Sequence, residues 1–291
     1  MRQPTAYFVT VMDADPKTRF PDTRDGLLMN KYEIALKLMG KMVGGKAAVC
    51  IHTSPRYRDR FFRAPFLEFW REWRDRGGDL LLHPEEDLYS VDTEPGPAGP
   101  RYFDRSYMED LVLAKKHQLK QADLAFSGFR GGFFGMTDSL ADLLQKADIL
   151  ADLSAAPGIV RSERAADWRD APASAYFMAP DSYRCAAKDP ASKRLFEIPL
   201  GWDGTGNDLG CNYLFHERST LRRLSRVWDR IAERSARGKS IEMVHLLCHS
   251  YSMRNQRLVL QLEKVLAYLQ ERGGVPLTIS EARSVYEHSG S

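Results

Sequence analysis

Ala6-Tyr7-Phe8-Val9-Thr10-Val11-Met12-Asp13-Ala14-Asp15-Pro16 is the stretch on which the fold turns. From Ala6 to Met12 the side chains are aromatic or β-branched, as a buried strand requires, and the run ends abruptly in Asp, Ala, Asp and Pro. Acidic side chains therefore stand at the C-terminal end of a strand.

Outward from this stretch, strands and helices alternate. Ile34, Leu38 and Met42 have helical spacing, which predicts a helix over 31–42, and Gly44-Gly45 stops it before a strand over 47–52. A helix over about 64–76 carries Phe66, Phe69, Trp70 and Trp73 on one face, stops at Gly77-Gly78 and hands over to a strand at 79–82 that ends in His83. Residues 91–100 are rich in Pro and Gly and read as a surface loop. Further helices are predicted over 106–121, 138–146, 217–237 and 254–271, and further strands over 124–127, 149–153, 196–199 and 242–248. Residues 158–192 read as a polar, Ala-rich excursion. The pattern predicts one α/β domain over 1–291 with a parallel sheet, whose site lies at the C-terminal ends of its strands.

Several of those ends carry side chains able to bind a cation or move a proton: Asp13 and Asp15, His83, Arg130 and His249. Side chains alternate along a strand, so Asp13 and Asp15 share a side if the strand continues; one can bind a cation while the other works as a base. The plain alternative is a turn or a helix cap, which Pro16 fits equally well. His83 and Asp87 lie four apart and would share a face over one helical turn, where with Asp15 they could hold a metal. Such a site leaves positions open for water and a carbonyl; otherwise Pro84-Glu85-Glu86 simply opens a helix with acids at its positive end. His245 and His249 project to one face of a strand, and His249, at its end, is the candidate acid for a departing amine. Arg130 in Phe129-Arg130-Gly131-Gly132 suits fixing a carboxylate through paired hydrogen bonds, against an ordinary loop Arg. Tyr57, Trp168, Tyr183, Trp202 and Tyr251 fall in or near predicted loops, where flat faces suit sugar rings, or else they are core.

Composition narrows the class. The 291 residues carry 42 Lys and Arg against 39 Asp and Glu, an excess of three with both signs interspersed, so a nucleic-acid partner is not expected. The N-terminal residues run directly into the first strand and no stretch approaches a membrane span, which predicts a soluble, cytoplasmic protein. Cys50, Cys185, Cys211 and Cys248 have no CxxC spacing and read as reduced, mostly buried thiols.

With these residues on the page, the chain resembles the polysaccharide deacetylase (NodB-homology) family over about 7–282. The resemblance implies an irregular (β/α) barrel and the metal-dependent removal of an acetyl, or sometimes a formyl, group from an amino sugar. Val11-Met12-Asp13-Ala14-Asp15 is similar to the family's first motif, which makes Asp13 the general base and Asp15 a metal ligand. Most members have adjacent acids there; a spaced pair resembles relatives that deformylate lipid-linked aminoarabinose on the cytoplasmic side. The second motif resembles the run from Gly78 to Asp87, with His83 and Asp87 as ligands, and Asp87 stands where His is usual. That harder, more anionic set bears on the choice of ion: zinc is the expectation, with cobalt, nickel and manganese as alternatives. Phe129 to Gly135, then Asp152-Leu153-Ser154 and Pro157-Gly158, resemble the third motif, in which Arg130 orients Asp13. Glu197-Ile198-Pro199 also resembles the family, and Val244 to Ser250 resembles its final motif, with His249 as general acid. With no export signal read in the sequence, the expected substrate is a nucleotide- or lipid-linked amino sugar or a small glycoside; membrane-surface contact would follow if it is lipid-linked. The rival readings are a metal-free amide hydrolase on the same barrel and a carbohydrate-binding protein that has lost the chemistry.

Overall fold

The computed structural model describes residues 6–16, 24–55, 57, 59–85, 100–189, 194–238 and 241–289. It begins with β1 (Ala6–Asp13), α1 (Asp25–Val43), β2 (Ala47–Thr53), α2 (Phe66–Asp75) and β3 (Asp79–Pro84). There follow α3 (Pro100–Phe103), α4 (Arg105–Gln121), β4 (Gly128–Phe129), α5 (Asp138–Lys146) and β5 (Ala151–Asp152). Four short strands come next, β6 (Val160–Arg161), β7 (Ala166–Asp167), β8 (Tyr176–Ala179) and β9 (Ser182–Ala186), before β10 (Phe196–Glu197). The chain closes with α6 (Leu221–Gly238), β11 (Glu242–His249), α7 (Gln256–Glu271), β12 (Val275–Pro276) and α8 (Ile279–Ser289). Strand order is β11-β1-β2-β3-β4-β5-β10-β8-β9, with β12 beside β1. This is the expected α/β class, with a mainly parallel sheet.

Local chemistry sets the boundaries. Gly44 takes the left-handed conformation (φ 63°) that closes α1, while Thr137 and Asn255 cap α5 and α7 by accepting backbone N–H groups. Asp104 does the same for α4. The helix expected from residue 217 begins instead at Leu221, because Thr220 accepts the Arg223 N–H at 3.4 Å and supplies the start. Glu217 is thereby left in a short 3₁₀ turn ahead of the helix. The strand expected at 124–127 forms just beyond that span, at β4. The excursion at 158–192 is not featureless: β6 and β7 form an antiparallel pair, and β8 joins the sheet antiparallel to β10. Cys50 and Cys248 are buried as expected, but Cys185 is exposed and Cys211 half-buried.

The chain divides into two compact units, Met1–Val49 with Trp73–Asp79 and Leu200–Ser291, and Cys50–Glu72 with Leu80–Pro199. In the first unit β1 lies parallel to β11 along its whole length, from Ala6 opposite Glu242 to Asp13 opposite His249. Phe8, Val9, Val11 and Met12 are fully buried there with Val244, Leu246 and Leu247, and Trp228 of α6 meets Phe8 edge-on at 5.7 Å. Each such apolar side chain contributes about 1.5–3 kcal/mol by leaving water. In the second unit one row of residues crosses the sheet: Leu82, Phe129, Asp152, Glu197 and Tyr176 stand opposite one another in turn on β3, β4, β5, β10 and β8. Phe61, Phe66 and Trp70 build an aromatic cluster in this unit, with the Trp70 indole N–H donating to the Phe61 carbonyl at 2.7 Å.

Candidate active site

In the first unit the parallel register of β1 and β11 sets Asp13 beside His249 at the C-terminal ends of both strands. His249 Nε2 lies 3.6 Å from Asp13 Oδ2 and 3.9 Å from Asp15 Oδ2. Ligand atoms of Asp13, Asp15 and His249 all fall within 4.8 Å of one another, a separation that suits proton transfer or a shared cation. Both carboxylates are buried, and the segment that carries them is held by Tyr32, whose hydroxyl donates to the Ala14 carbonyl at 2.9 Å, and by Ser250, which donates to the Asp15 carbonyl at 2.9 Å.

The far side of the imidazole is occupied by Glu217, whose Oε2 lies 3.3 Å from Nδ1 and whose Oε1 accepts the His249 backbone N–H. His249 is also sandwiched between flat neighbours, Phe215 at 5.4 Å and Tyr251 at 4.9 Å. Burial disfavours a charged ring, but the Glu217 carboxylate, with Asp13 and Asp15 beyond it, overrides this and pushes His249 up to about 9. For Glu217 burial works against the charge, yet His249 and His216 hold the carboxyl well below the usual carboxylate range. The pair is a carboxylate-oriented imidazolium whose Nε2 faces two further carboxylates. Sequence reasoning missed Glu217, which its own motif did not mark.

In the second unit His83 is fully buried on β3, and its Nδ1 lies 2.7 Å from the Arg130 carbonyl. A carbonyl can only accept, so Nδ1 carries a proton, and in the neutral ring the lone pair that a metal requires is then on Nε2. The Glu85 carboxylate lies 3.8 Å from that Nε2. His52, at the end of β2, is also fully buried, with its ring centroid 6.2 Å from that of His83. It went unremarked in the sequence although the strand-end rule that picked out His83 applies to it equally. Asp87, the expected third ligand, lies outside the described residues. Arg130 is buried just past β4, its guanidinium 5.1 Å above the Phe134 ring and donating to the Gly131 carbonyl at 3.3 Å.

The aromatic residues divide. Tyr57, Trp168 and Tyr183 are buried, and the Trp168 indole donates to the Phe134 carbonyl at 2.7 Å, so these three serve the core and present no face to a sugar. Trp202 stacks on Tyr213, and Tyr251 stacks on His249; both are half-buried.

Comparison of the sequence with protein-family models and with curated proteins finds no match. Solved structures do match. A Parabacteroides distasonis protein assigned as a glycoside hydrolase/deacetylase gives a TM-score of 0.65 at 12% identity, covering 98% of this chain and 72% of that one. A Mycobacterium smegmatis protein assigned as a polysaccharide deacetylase gives 0.58 at 13% identity, covering 99% and 91%. The Puue allantoinase gives 0.59 at 11% identity, covering 99% and 93%. At these identities the likeness is one of fold: the chain has the irregular (β/α) barrel of the polysaccharide deacetylases.

Proposed function

We propose that this protein is a metal-dependent hydrolase that removes an N-acetyl or N-formyl group from an amino sugar, nucleotide- or lipid-linked, at the cytoplasmic side, with the whole 1–291 span as its catalytic domain. The observation that carries the reading is the pairing of Asp13 with His249 at the ends of two parallel strands, the His backed by Glu217. Amide hydrolysis needs a base for water and an acid for the amine, and Asp13 and His249, 3.6 Å apart, suit the two roles.

A divalent ion suits the donors available. Asp15, His83 and Asp87 are the proposed ligands, an oxygen and nitrogen set, and His52, beside His83, is the alternative to Asp87. The fit rests on the His83 tautomer: the Arg130 carbonyl holds a proton on Nδ1, which makes Nε2 the ligand atom of the neutral ring. When bound, such an ion polarises the amide carbonyl and lowers the pKa of water. Asp13 takes the proton from water, Arg130 aims that carboxylate, and His249 Nε2 delivers a proton to the departing amine. Glu217 orients the imidazole for that delivery. The fold likeness to an allantoinase favours a second reading, hydrolysis of a non-sugar amide.

Release of acetate or formate from a panel of N-acylated amino-sugar nucleotides and lipid-phosphate-linked amino sugars, set beside ring opening of cyclic ureides, separates the two. The expected result is turnover of an amino-sugar member, lost reversibly with a chelator and reduced about 10⁴-fold in Asp13→Asn at unchanged fold. Full activity in Asp13→Asn would remove the base assignment, and turnover of ureides alone would replace the sugar.

A further inference from the structure

Asp152 and Glu197 are acidic residues that the mechanism does not use, and both are fully buried in the second unit. They stand directly opposite each other on the parallel strands β5 and β10, so their side chains leave the same face of the sheet side by side. One oxygen of each already has a donor. Ser154 Oγ donates to Asp152 Oδ1 at 2.6 Å, and the Ala155 N–H donates to Glu197 Oε1 at 3.0 Å. The other oxygens, Asp152 Oδ2 and Glu197 Oε2, are buried with no hydrogen-bond donor among the described residues. Two ionised carboxylates so placed would leave both oxygens unsatisfied and repelling; one proton between them satisfies both.

We propose that Asp152 and Glu197 share a single proton, and that this pair is the positioning element beneath the Arg130 loop. The connection is a short chain of hydrogen bonds. The Ser154 hydroxyl that donates to Asp152 accepts the Gly131 N–H at 2.7 Å. Arg130 itself is tied through its backbone, donating to the Leu82 carbonyl at 3.0 Å and accepting from His83 Nδ1 at 2.7 Å. Ser154 gives its one proton to Asp152 while its lone pair takes the Gly131 N–H, so the pair must keep an acceptor oxygen on that side. A single shared proton permits this, and two protons would put it at risk.

The charged and titratable groups facing the pair agree with one proton. Burial pushes Asp152 up, and it pushes Glu197 up further with the Asp152 charge added; the Arg130 guanidinium pulls Glu197 the other way. From β8, the Tyr176 hydroxyl is committed to the Tyr183 carbonyl at 3.0 Å, and burial with the two acids pushes that phenol well up, so it stays neutral. The role for Arg130 rests on the function proposed above; the proton sharing does not.

The test therefore pairs spectroscopic readouts with kinetic ones. Infrared spectra of the wild-type chain at neutral pH are expected to show the C=O stretch of a buried protonated carboxyl, absent in Glu197→Gln, where an amide N–H₂ takes the proton's place. The Arg130 Nε–H resonance, assigned by its loss in Arg130→Lys, is expected to stay in place in Glu197→Gln and to move in Glu197→Ala. On a turned-over substrate, Glu197→Gln should keep kcat within about threefold, while Glu197→Ala should lower kcat at least about tenfold at unchanged KM. If Glu197→Ala does not fold, the double variant Asp152→Asn/Glu197→Gln, which keeps the shape and removes the remaining negative charge, takes its place and should move the Arg130 resonance. Absence of the protonated-carboxyl band overturns the shared proton. A Glu197→Gln chain as displaced as the Ala variant overturns the positioning role. If no substrate of any class is turned over, the function fails while the infrared and resonance arms still decide the pair.

Discussion

His249 Nδ1 faces Glu217, and that contact decides which ring nitrogen is turned toward Asp13 and Asp15. Glu217→Gln keeps the shape but removes the charge that orients and supports the imidazolium. It is expected to lower kcat about 10²-fold with little change in KM, the size of a general-acid contribution, measured on the same substrate panel. Metal content makes a second prediction at this scale, because His52 and Asp87 are rivals for one ligand position. Elemental analysis should find that Asp87→Ala loses affinity by more than the roughly 10–100-fold that an outer-sphere partner costs, while His52→Ala keeps the ion. The reverse result gives the position to His52. Single residues were legible where a strand ended: Asp13, Asp15, His83 and His249 each follow a buried run, and His52 was there to be found by the same rule. Glu217 was not legible, because it comes from 32 residues before His249 and its place depends on where α6 starts.

Among the elements, long ones with strong periodicity were read to within a few residues, and those defined by a single backbone event were not. β1, β11 and α7 match their expected spans closely, since burial of a regular face determines them. β4 and β5 are two residues each, too short to carry a pattern, and β8 and β9 pair antiparallel inside a stretch whose composition looked polar. α6 starts late because a capping Thr220 outweighed the helical spacing before it. The Arg130 loop shows how such an event limits what a position tolerates. A Cβ on Gly131 would lie 1.9 Å from the Gly135 carbonyl oxygen, and that neighbour is backbone that cannot swing aside. Gly131→Ala is expected to destabilise the chain by about 1–3 kcal/mol, seen as a lower denaturation midpoint in urea at unchanged slope. An unchanged midpoint would mean that the loop is free to open, and would weaken any role that needs Arg130 held still.

At the scale of the whole molecule, the buried acid pair links folding to pH with a definite sign. In the unfolded chain Glu197 returns to its ordinary value of 4.5, whereas in the folded chain burial and the Asp152 charge hold it well above that. A carboxyl raised on folding binds more protons in the native state, so its contribution to stability is complete below 4.5 and is lost as pH rises through the folded value. The loss is about 1.4 kcal/mol for each unit by which the folded value exceeds the unfolded one. Other groups titrate over the same range, so the informative quantity is the difference between wild type and Glu197→Gln, whose amide cannot ionise. Calorimetric Tm values measured from about pH 4 to pH 9 should show the variant gaining on the wild type steadily above the ordinary carboxyl range, and the gap should level off once the folded pair has given up its proton. A gap that stays flat across the range would mean that Glu197 is ionised in the folded chain at neutral pH. The two buried oxygens would then need a donor other than a proton, and Arg130, the cation whose charge already acts on Glu197, is the group that would have to supply it.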